Sequence, residues 1–231
     1  MFLFSLLTAF AHAAPNFLVI IADDLGWYDT SIRNPNSPTP SIRNLSDNHG
    51  LVLNRHYAFR YCSPTRRSFL TGRFPNHITT VQPDNSKGQD NLCSDFLPLN
   101  ATILSEKLNQ NQNQKKTSNA AAAQLYDNYF IGKGHLGYET EDHLPINRGF
   151  KSHVGFLAGS ESYRYGGGSI NATSGAHDFW KNTKPGYNIV PTLNYATNYY
   201  TSVAVDILER RHSENSVAPF FMYFSVQTFT V

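Results

Sequence analysis

The sequence predicts an α/β fold in which helices flank a mostly parallel sheet. The prediction rests first on two apolar, β-branched runs, Pro15–Ala22 and Pro219–Val226, which are typical of buried strands. It rests also on helical spacing between them, as in Leu193–Leu208. Strands that alternate with helices along a chain form parallel sheets. The chain has 231 residues, of which 40% are hydrophobic, so it can bury a sizeable core.

The first residues of the chain are almost entirely apolar. Ala11-His12-Ala13 fits the small-x-small pattern that precedes a signal-peptide cleavage site. We predict a secretory signal peptide over residues 1–13 and one domain over residues 14–231. The alternative is that the leader forms a buried first strand or helix. It is too short for a membrane span, and no later segment predicts one.

The net charge of the chain and its glycosylation sequons indicate which partners and which cellular location to expect. The formal net charge of +2 is too small to predict nucleic-acid binding. Sequons of the Asn-x-Ser/Thr type begin at Asn44, Asn100 and Asn171, and in secreted proteins such sequons carry glycans. We therefore expect a protein of the secretory pathway, either lysosomal or extracellular.

Two acidic residues, Asp23 and Asp24, follow the first predicted strand. The carboxyl end of a strand is the usual ligand position in an open α/β sheet. Paired carboxylates suit Ca²⁺ or Mg²⁺, which take oxygen ligands. The alternative is a helix cap with a solvated charge, which is the commoner role of such a pair.

Helix signals then recur along the chain. Thr39 and Pro40 predict a helix start, Gly50 suits its end, and Leu51-Val52-Leu53 predicts a returning strand. Pro64 predicts a second helix that runs to about Thr71 and is ended by Gly72. That helix would place Cys62 just before its N-terminus, where the helix dipole favours an anion.

The second half of the chain continues the alternation. A short helix is predicted over Thr102–Asn109, and a polar low-complexity insert, predicted as a loop, follows over about residues 109–123. Tyr129–Ile131 predicts a short strand that leads into Gly132–Gly137. Arg210 and Arg211 suit the last turn of the helix predicted from Leu193.

A lysine and a histidine close together in the sequence could bind an anion and transfer a proton. Lys133 and His135 lie two residues apart, which on an extended segment places both side chains on one face, where they could hold an anion and move a proton. The alternative is a glycine-rich turn with two exposed polar side chains.

Cys62 and Cys93 are the two cysteines, and in a secreted chain a disulfide between them is the simplest interpretation.

The segment Cys62–Arg66, which reads Cys-Ser-Pro-Thr-Arg, is followed by Leu-Thr-Gly-Arg at Leu70–Arg73. Together they resemble the signature of the sulfatase family. Ala22–Trp27 and Gly132–Gly137 are similar to two further family segments in the same order. The similarity is strongest to the arylsulfatase B (N-acetylgalactosamine-4-sulfatase) group. The segments that carry this closer similarity are Arg148–Phe150, Gly155–Tyr163 and Pro219–Gln227.

The resemblance implies an alkaline-phosphatase-like fold and hydrolysis of sulfate esters, with sulfated glycosaminoglycans as a substrate class. It implies that a formylglycine-generating enzyme oxidises Cys62 to formylglycine, whose hydrate attacks sulfur. It implies a Ca²⁺ ion beside that residue, and a proton-transfer role for the histidine. The residues assigned to catalysis are Cys62, Arg66, Lys133 and His135, and those assigned to the metal are Asp23, Asp24 and Cys62.

The sequence also departs from the family pattern. Thr65 stands where the signature usually has Ser or Ala, and Gly134 stands where Trp is usual. The chain ends at Val231, before the His-x-Pro segment, the Asp-Asn pair and the lysine that the family pattern contains further on. We therefore expect an incomplete catalytic domain, truncated on its C-terminal side, with uncovered strand edges and poor solubility.

Two alternatives to an active sulfatase follow. One is a truncated, non-catalytic pseudo-sulfatase or glycan-binding fragment, which the incomplete site favours. The other is a phosphatase or phosphodiesterase of the related alkaline-phosphatase-like superfamily. Those enzymes use a Ser or Thr nucleophile, so Cys62 with Pro64 and Arg66 argues against that assignment.

Overall fold

The structure, a computed structural model, describes residues 14–78, 96–110, 126–161, 178–185 and 195–227. The predicted signal peptide, Cys93 and residues 111–123 of the predicted insert lie outside the described residues. The Cys62–Cys93 disulfide is therefore a prediction that the structure does not test. No helix in the described part of the chain is long and apolar enough to cross a membrane.

A six-stranded sheet forms the centre of the described chain, with the order β1-β6-β2-β3-β4-β5. β1, β6, β2 and β3 run parallel, whereas β4 and β5 add an antiparallel hairpin at one edge. The prediction of a mostly parallel sheet is confirmed. The strands are β1 (Phe17–Asp23), β2 (Asp127–Lys133), β3 (Ser152–Phe156), β4 (Trp180–Lys181), β5 (Lys184–Pro185) and β6 (Phe220–Gln227).

The described residues include four α-helices: α1 (Pro40–Asn48), α2 (Cys62–Thr71), α3 (Leu104–Gln110) and α4 (Ala196–Ser213). α1 buries none of its residues, whereas the other three contribute to the core. The first helix starts at Pro40 as predicted, although the Thr39 side chain does not cap it. Instead Thr39 Oγ1 accepts a hydrogen bond from the backbone N–H of Ser31 at 2.7 Å. Short 3₁₀ turns occur at Pro75–His77, Glu141–His143 and Pro145–Asn147.

The predicted strand at Leu51–Leu53 is wrong, because this segment is irregular in the structure. Leu51 is 84% exposed and Leu53 64%, and Val52, on the opposite side, is 37% exposed, so neither side of the segment is buried. An apolar run forms a strand only where a pleated face can be buried. Here the segment runs along the surface towards α2.

The core consists of two layers, one on each face of the sheet. Successive residues of β6 serve opposite layers, as a strand requires. Met222 packs with Ala204 and Ile207 of α4 on one face. Phe221 and Tyr223 pack on the other face, in a layer that includes Leu70 of α2 and Ile103 before α3. The sheet is therefore covered by α4 on one side and by α2 and α3 on the other.

β1 lies at the edge of the sheet and differs from the buried strand that its composition predicts. Leu18 is 48% exposed and Ile20 61%, whereas alternate residues Val19 and Ile21 pack against the core layer that contains Leu70. The pairing of β1 with β6 explains the difference, because only one edge of β1 is paired among the described residues. The face that carries Ile20 extends beyond the cover that α4 provides.

The parallel strands end together, and this alignment positions the site. Asp23 at the end of β1 pairs in register with Gln227, and Gly132 near the end of β2 pairs with Ser225. Gly132 has φ +90°, and a Cβ atom there would lie 1.8 Å from the carbonyl oxygen of Ser225. Glycine at this position therefore allows β2 and β6 to approach closely just before Lys133.

Candidate active site at the carboxyl ends of the strands

A buried group of charges lies where β1, β2 and α2 meet. Arg66 Nη2 donates to Asp23 Oδ1 at 2.9 Å, and Lys133 Nζ donates to Asp23 Oδ2. The side chains of Arg66 and Lys133 are 1% and 3% exposed. Three predicted site residues that are far apart in sequence are thus in direct contact. Buried charges persist in proteins when they are paired in this way.

Arg66 is fixed by several acceptors besides Asp23. Its Nη1 donates to the backbone oxygen of Lys133 at 3.0 Å, to Tyr223 Oη at 3.3 Å and to Ser225 Oγ at 2.5 Å. The planar guanidinium can serve several acceptors at once, which a lysine ammonium does less well. Arg66 therefore connects α2 to β1, β2 and β6.

Cys62 is the first residue of α2, not the residue before it as predicted. Tyr61 is the N-cap residue, with φ −147° and ψ −179°, and Pro64 is the third helical residue. The N–H groups of a first helical turn have no intrahelical acceptor, so an anion at Cys62 would lie within their field. The predicted end of the helix is confirmed, since Gly72 caps it in the left-handed conformation.

Cys62 and His135 are neighbours. Cys62 is a free cysteine, and its Sγ lies 2.8 Å from His135 Nδ1. The chain at His135 has φ +50°, an uncommon conformation for a residue with a side chain. Backbone hydrogen bonds from Gly134 to Phe156 and from His135 to Leu157, at 2.8 and 3.1 Å, hold this turn against β3. The imidazole is therefore aimed at Cys62 by a fixed backbone.

The electrostatic potential at the site is positive. Burial lowers the pKa of His135 to about 3, and the positive charges of Lys133, Arg66 and Arg67 lower it in the same direction. Burial alone would raise the pKa of Asp23, but hydrogen bonds from Lys133 and Arg66 outweigh it and hold that pKa below its ordinary value. At neutral pH the site therefore contains a neutral imidazole, an ionised carboxylate and several cations, which favour an anion such as sulfate.

Asp24 does not join this group. It is exposed and has φ +57°, so the chain turns away directly after Asp23. Both residues offer the carboxylate oxygens that Ca²⁺ prefers, so the donors fit a calcium ion in kind. They do not complete a site, because the described residues contain no cluster of three or more Asp, Glu, His or Cys side chains. Calcium takes six to eight oxygen ligands, so other oxygens would have to complete the shell.

Some residues of the site carry no clear signal in the sequence. Tyr223 and Ser225 bind Arg66, yet they lie within an apolar strand where they are read as part of the core. Tyr223 and Ser225 are two residues apart on β6, so their side chains lie on the same face of the sheet. This spacing is the one signal in the sequence that groups them. Arg67 is buried beside Arg66 and contributes positive charge to His135.

The structure also accounts for the two departures from the family signature. Thr65 Oγ1 donates to the backbone oxygen of Tyr61 at 2.9 Å and accepts from the N–H of Phe59 at 3.1 Å. Its hydroxyl therefore links the first turn of α2 to the segment before it. At Gly134, an added Cβ would meet the backbone oxygen of Phe156 at 3.1 Å. A larger side chain there would require β2 and β3 to separate slightly.

Comparison with known proteins agrees with this geometry. A sequence model described as "Sulfatase" matches residues 15–228. Arylsulfatase J of Mus musculus is 27% identical over 92% of this chain and 32% of its own length. N-acetylgalactosamine-6-sulfatase of Mus musculus is 27% identical over 96% of this chain and 41% of its own length. Arylsulfatase A of Bos taurus is 32% identical over 63% of this chain and 26% of its own length.

Solved structures share the fold. The crystal structure of Ps i-CgsB in complex with k-i-k-neocarrahexaose superposes with a TM-score of 0.66 at 23% identity, covering 94% of this chain and 46% of that one. The PsFucS1 sulfatase from Pseudoalteromonas sp. superposes with a TM-score of 0.52 at 19% identity, covering 91% of this chain and 43% of that one. The chain thus spans less than half the length of these relatives. From its matched segment and its fold, the chain belongs to the sulfatase family.

Proposed function

We propose that this protein is a sulfuric ester hydrolase of the arylsulfatase type whose nucleophile is derived from Cys62. The observation that carries the proposal is the contact between Cys62 Sγ and His135 Nδ1 beside the buried cations Arg66 and Lys133. A nucleophile position, a proton acceptor and an anion-binding field are therefore adjacent. These are the elements that attack on a sulfate ester requires.

The proposed nucleophile is formylglycine at position 62. In a hydrated aldehyde, one hydroxyl would attack sulfur and expel the alcohol, which leaves the sulfate attached to the enzyme. Deprotonation of the second hydroxyl would then break the carbon–oxygen bond to the sulfate, release it and restore the aldehyde. A thiol has no second hydroxyl, so an unmodified Cys62 could not complete such a cycle. The proposal therefore requires a formylglycine-generating enzyme as a partner during synthesis of the chain.

His135 is the proposed proton acceptor. Because burial lowers its pKa to about 3, its imidazole is neutral over the pH range of both lysosomes and extracellular fluid. The Nδ1 atom that faces position 62 can then accept a proton from a hydroxyl at that position. The hydrogen bond from the His135 N–H to Leu157 keeps the residue in place during this transfer.

The sulfate charge would be held by Lys133, Arg66 and the first turn of α2. Arg66 lies four residues after Cys62 and therefore on the same side of the helix. Asp23 and Asp24 would hold a Ca²⁺ ion, with oxygens from other groups completing its shell. Such an ion supplies further positive charge for the bound sulfate.

The secretory pathway is the proposed location, lysosomal or extracellular. Exposure of the sequon residues supports it, since Asn44 lies on the outer surface of α1 and Asn100 lies in an exposed turn. Both would be accessible for glycan attachment. The third sequon, at Asn171, lies outside the described residues.

A sulfated saccharide is the proposed substrate, with sulfated glycosaminoglycans as one class. Trp27 follows the Asp23-Asp24 pair and is 62% exposed, and the Arg33 guanidinium lies 4.4 Å from its ring centroid. Arg33 also donates to Asn54, which ties this loop to the segment that leads to Cys62. An exposed indole beside a guanidinium suits a sugar ring that carries a negative charge.

Replacement of Trp27 tests this substrate class. We expect Trp27→Ala to raise KM for a sulfated oligosaccharide about 5-fold, a factor that corresponds to about 1 kcal/mol of aromatic contact. KM for a small aryl sulfate should change little, because its sulfate would bind at Cys62 and not at the indole. Equal changes for both substrates would argue against a saccharide platform at Trp27.

The activity itself is tested by sulfate release from an aryl sulfate ester. The full chain should be produced in a secretory host that contains the formylglycine-generating enzyme, and mass spectrometry should find formylglycine at position 62. We expect sulfate release that is lost in Cys62→Ala. A converted residue without any sulfate release would contradict the proposal.

A second candidate is a non-catalytic glycan-binding protein. It is favoured by the small number of metal donors that lie together among the described residues. This candidate predicts that the chain binds a sulfated glycan without releasing sulfate, and that Cys62→Ala leaves binding unchanged. Sulfate release by the wild-type chain would exclude it.

A further inference from the structure

We propose that Asp178 is a positioning residue for His135, because its buried carboxylate fixes the two peptide units that hold the His135 turn against Cys62. Asp178 acts on the imidazole through the backbone that follows β3. This inference rests on the proposed function in one respect, namely that His135 is the proton acceptor of the reaction.

The carboxylate of Asp178 is held inside the fold from two sides. The residue is 1% exposed, and its Oδ2 accepts from the backbone N–H groups of Leu157 at 3.0 Å and Ala158 at 2.6 Å. Its Oδ1 accepts from Trp180 Nε1 at 2.6 Å. Trp180 pairs with Gly155 where β4 joins β3, so the edge hairpin anchors the carboxylate. Hydrogen bonds to an ionised acceptor are stronger than those between neutral groups.

One peptide unit links Asp178 directly to the backbone of His135. The unit between Leu157 and Ala158 donates its N–H to Asp178 Oδ2, and its carbonyl oxygen accepts from the His135 N–H at 3.1 Å. A peptide unit is planar, and in the trans form its N–H and C=O point in opposite directions. When Asp178 fixes the N–H, it therefore also fixes the direction of the carbonyl that holds His135.

The preceding peptide unit repeats this arrangement. The Leu157 N–H donates to Asp178 Oδ2, and the Phe156 carbonyl on the other side of the unit accepts from the Gly134 N–H at 2.8 Å. One carboxylate oxygen thus orients both of the carbonyls to which the chain at Gly134 and His135 is bound. Hydrogen bonds in such a series polarise and strengthen one another.

The turn at His135 has a conformation that needs this support. Its φ of +50° is uncommon for a residue with a side chain, and the surrounding structure must hold it. In this conformation His135 Nδ1 lies 2.8 Å from Cys62 Sγ. If the carbonyls after β3 lose their orientation, the turn can relax and move the imidazole away from position 62.

The first test is amide hydrogen exchange, measured by NMR on the unconverted chain. Burial raises the pKa of Asp178 to about 6, so the carboxylate is ionised at a working pH of about 7.5. We expect Asp178→Ala to speed exchange of the His135 N–H about tenfold or more relative to the Met222 N–H. Met222 lies on the central strand β6 and is 0% exposed, so it reports opening of the whole fold.

Glu161→Ala is the matched control. Glu161 is likewise a buried acid, but its Oε1 accepts from Tyr200 Oη on α4 at 2.7 Å, so its loss disturbs another part of the core. The ratio of His135 to Met222 exchange should match the wild type. Asp178→Asn keeps an acceptor oxygen and loses the charge, so its ratio should lie between those of the wild type and Asp178→Ala. This milder variant decides the matter if Asp178→Ala does not fold.

The second test is kinetic and uses the converted chain. Asp178→Ala should lower kcat for an aryl sulfate about tenfold and change KM by less than about twofold, because the substrate contacts remain. In a His135→Ala background the same substitution should cause no further loss of kcat, since the group that it positions is absent. A purely structural role for Asp178 would lower kcat in both backgrounds.

Three results would overturn the inference. The first is an unchanged ratio of His135 to Met222 exchange in the folded Asp178 variants. The second is an equal rise of that ratio in Glu161→Ala, and the third is an additive loss of kcat in the double variant. The exchange test does not depend on formylglycine or on turnover. Absence of sulfate release would therefore contradict the hydrolase proposal, while the exchange ratios still decide whether Asp178 positions His135.

Discussion

The guanidinium of Arg66 joins elements that are otherwise separate. It contacts a carboxylate on β1, a backbone oxygen on β2 and two hydroxyls on β6. Removal of one member of a buried ion pair leaves an uncompensated charge, which is a severe perturbation. At this residue the requirements of the proposed catalysis and of stability therefore coincide.

Truncation of Arg66 should destabilise the fold. We expect Arg66→Ala to lower the free energy of unfolding by about 3–5 kcal/mol, because Asp23 loses one of its two cations and the hydroxyls of Tyr223 and Ser225 lose their hydrogen bonds from Arg66. Arg73→Ala, an exposed arginine in the same signature, should change it by less than about 0.5 kcal/mol. Urea unfolding of both variants measures the difference, and similar values for the two would contradict the assignment.

Glu161 is a buried acid outside the proposed mechanism. Burial raises its pKa to about 8, although Tyr200 Oη donates to Glu161 Oε1 at 2.7 Å, which opposes the shift. Burial likewise raises the pKa of Asp178 to about 6. A carboxyl whose pKa is higher in the folded than in the unfolded state stabilises the fold only while it is protonated.

The protein should therefore lose stability as the pH rises from about 6.5 to about 8, a range in which Glu161 still titrates and the buried histidines are neutral in both the folded and the unfolded state. The loss from Glu161 begins near its ordinary pKa of 4.5 and is complete near pH 8, and it should be on the order of 4 kcal/mol. Asp178 adds a loss of the same sign at lower pH. Melting temperatures measured between about pH 6.5 and pH 8 should fall with pH in the wild type and fall less in Glu161→Gln. The exposed Glu209→Gln should behave as the wild type, and a melting temperature that rises with pH would contradict the sign.

Two glycines set the geometry of the elements around the site, and both have positive φ. Gly72 closes α2 with φ +67° and has open space where a Cβ atom would lie. Gly132 has φ +90° and would place a Cβ atom 1.8 Å from the Ser225 oxygen. Replacement by alanine therefore tests the backbone conformation alone at Gly72. At Gly132 it tests the backbone conformation together with the close approach of β2 and β6.

Gly72→Ala should lower the free energy of unfolding by about 1 kcal/mol, the usual cost of the left-handed conformation for alanine. Gly132→Ala should cost more than about 3 kcal/mol or prevent folding, since β2 and β6 must move apart. Denaturant unfolding would compare the two variants. Equal effects would show that the close approach of the two strands is not a constraint.

The elements of the site differ in how far the sequence predicts them. Pro40, Pro64 and Gly72 are strong signals of helix starts and ends. The bounds of α1 and α2 can therefore be predicted from the sequence to within a few residues. The ion cluster does not follow, because Arg66 and Ser225 are 159 residues apart and the serine lies in an apolar run. β3, β4 and β5 also lack a clear signal, since β3 contains Gly155 and the other two are two residues long.

At the scale of the whole molecule, β1 has one edge that is unpaired among the described residues. Leu18 and Ile20 project from the face that α4 leaves uncovered, and they are 48% and 61% exposed. An edge strand with exposed apolar side chains is a template for pairing with another chain. The fold class and the expected uncovered edge follow from the sequence, but which strand forms the edge does not, because strand order depends on pairing.

We expect the chain to self-associate through this edge. Ile20→Lys places a charge on the exposed face and should shift sedimentation profiles towards the monomer. Val217→Lys adds the same charge at a position that is 85% exposed and lies outside β1. It should leave the association unchanged. Equal effects of the two substitutions would point to net charge and not to the strand edge.

The position of β1 beside β6 has a consequence for the order of events during synthesis. Phe17 pairs with Phe221, and the contacts of Asp23, Arg66, Lys133 and Ser225 span sequence separations of 43 to 159 residues. Such long loops must close before the cluster forms, and contacts of this kind form late. Until β6 has emerged and docked, Arg66 lacks its partners on that strand. Cys62 therefore belongs to an unassembled surface until β6 has been synthesised and has docked. Under the proposed function, this lag is the interval during which the formylglycine-generating enzyme would reach it.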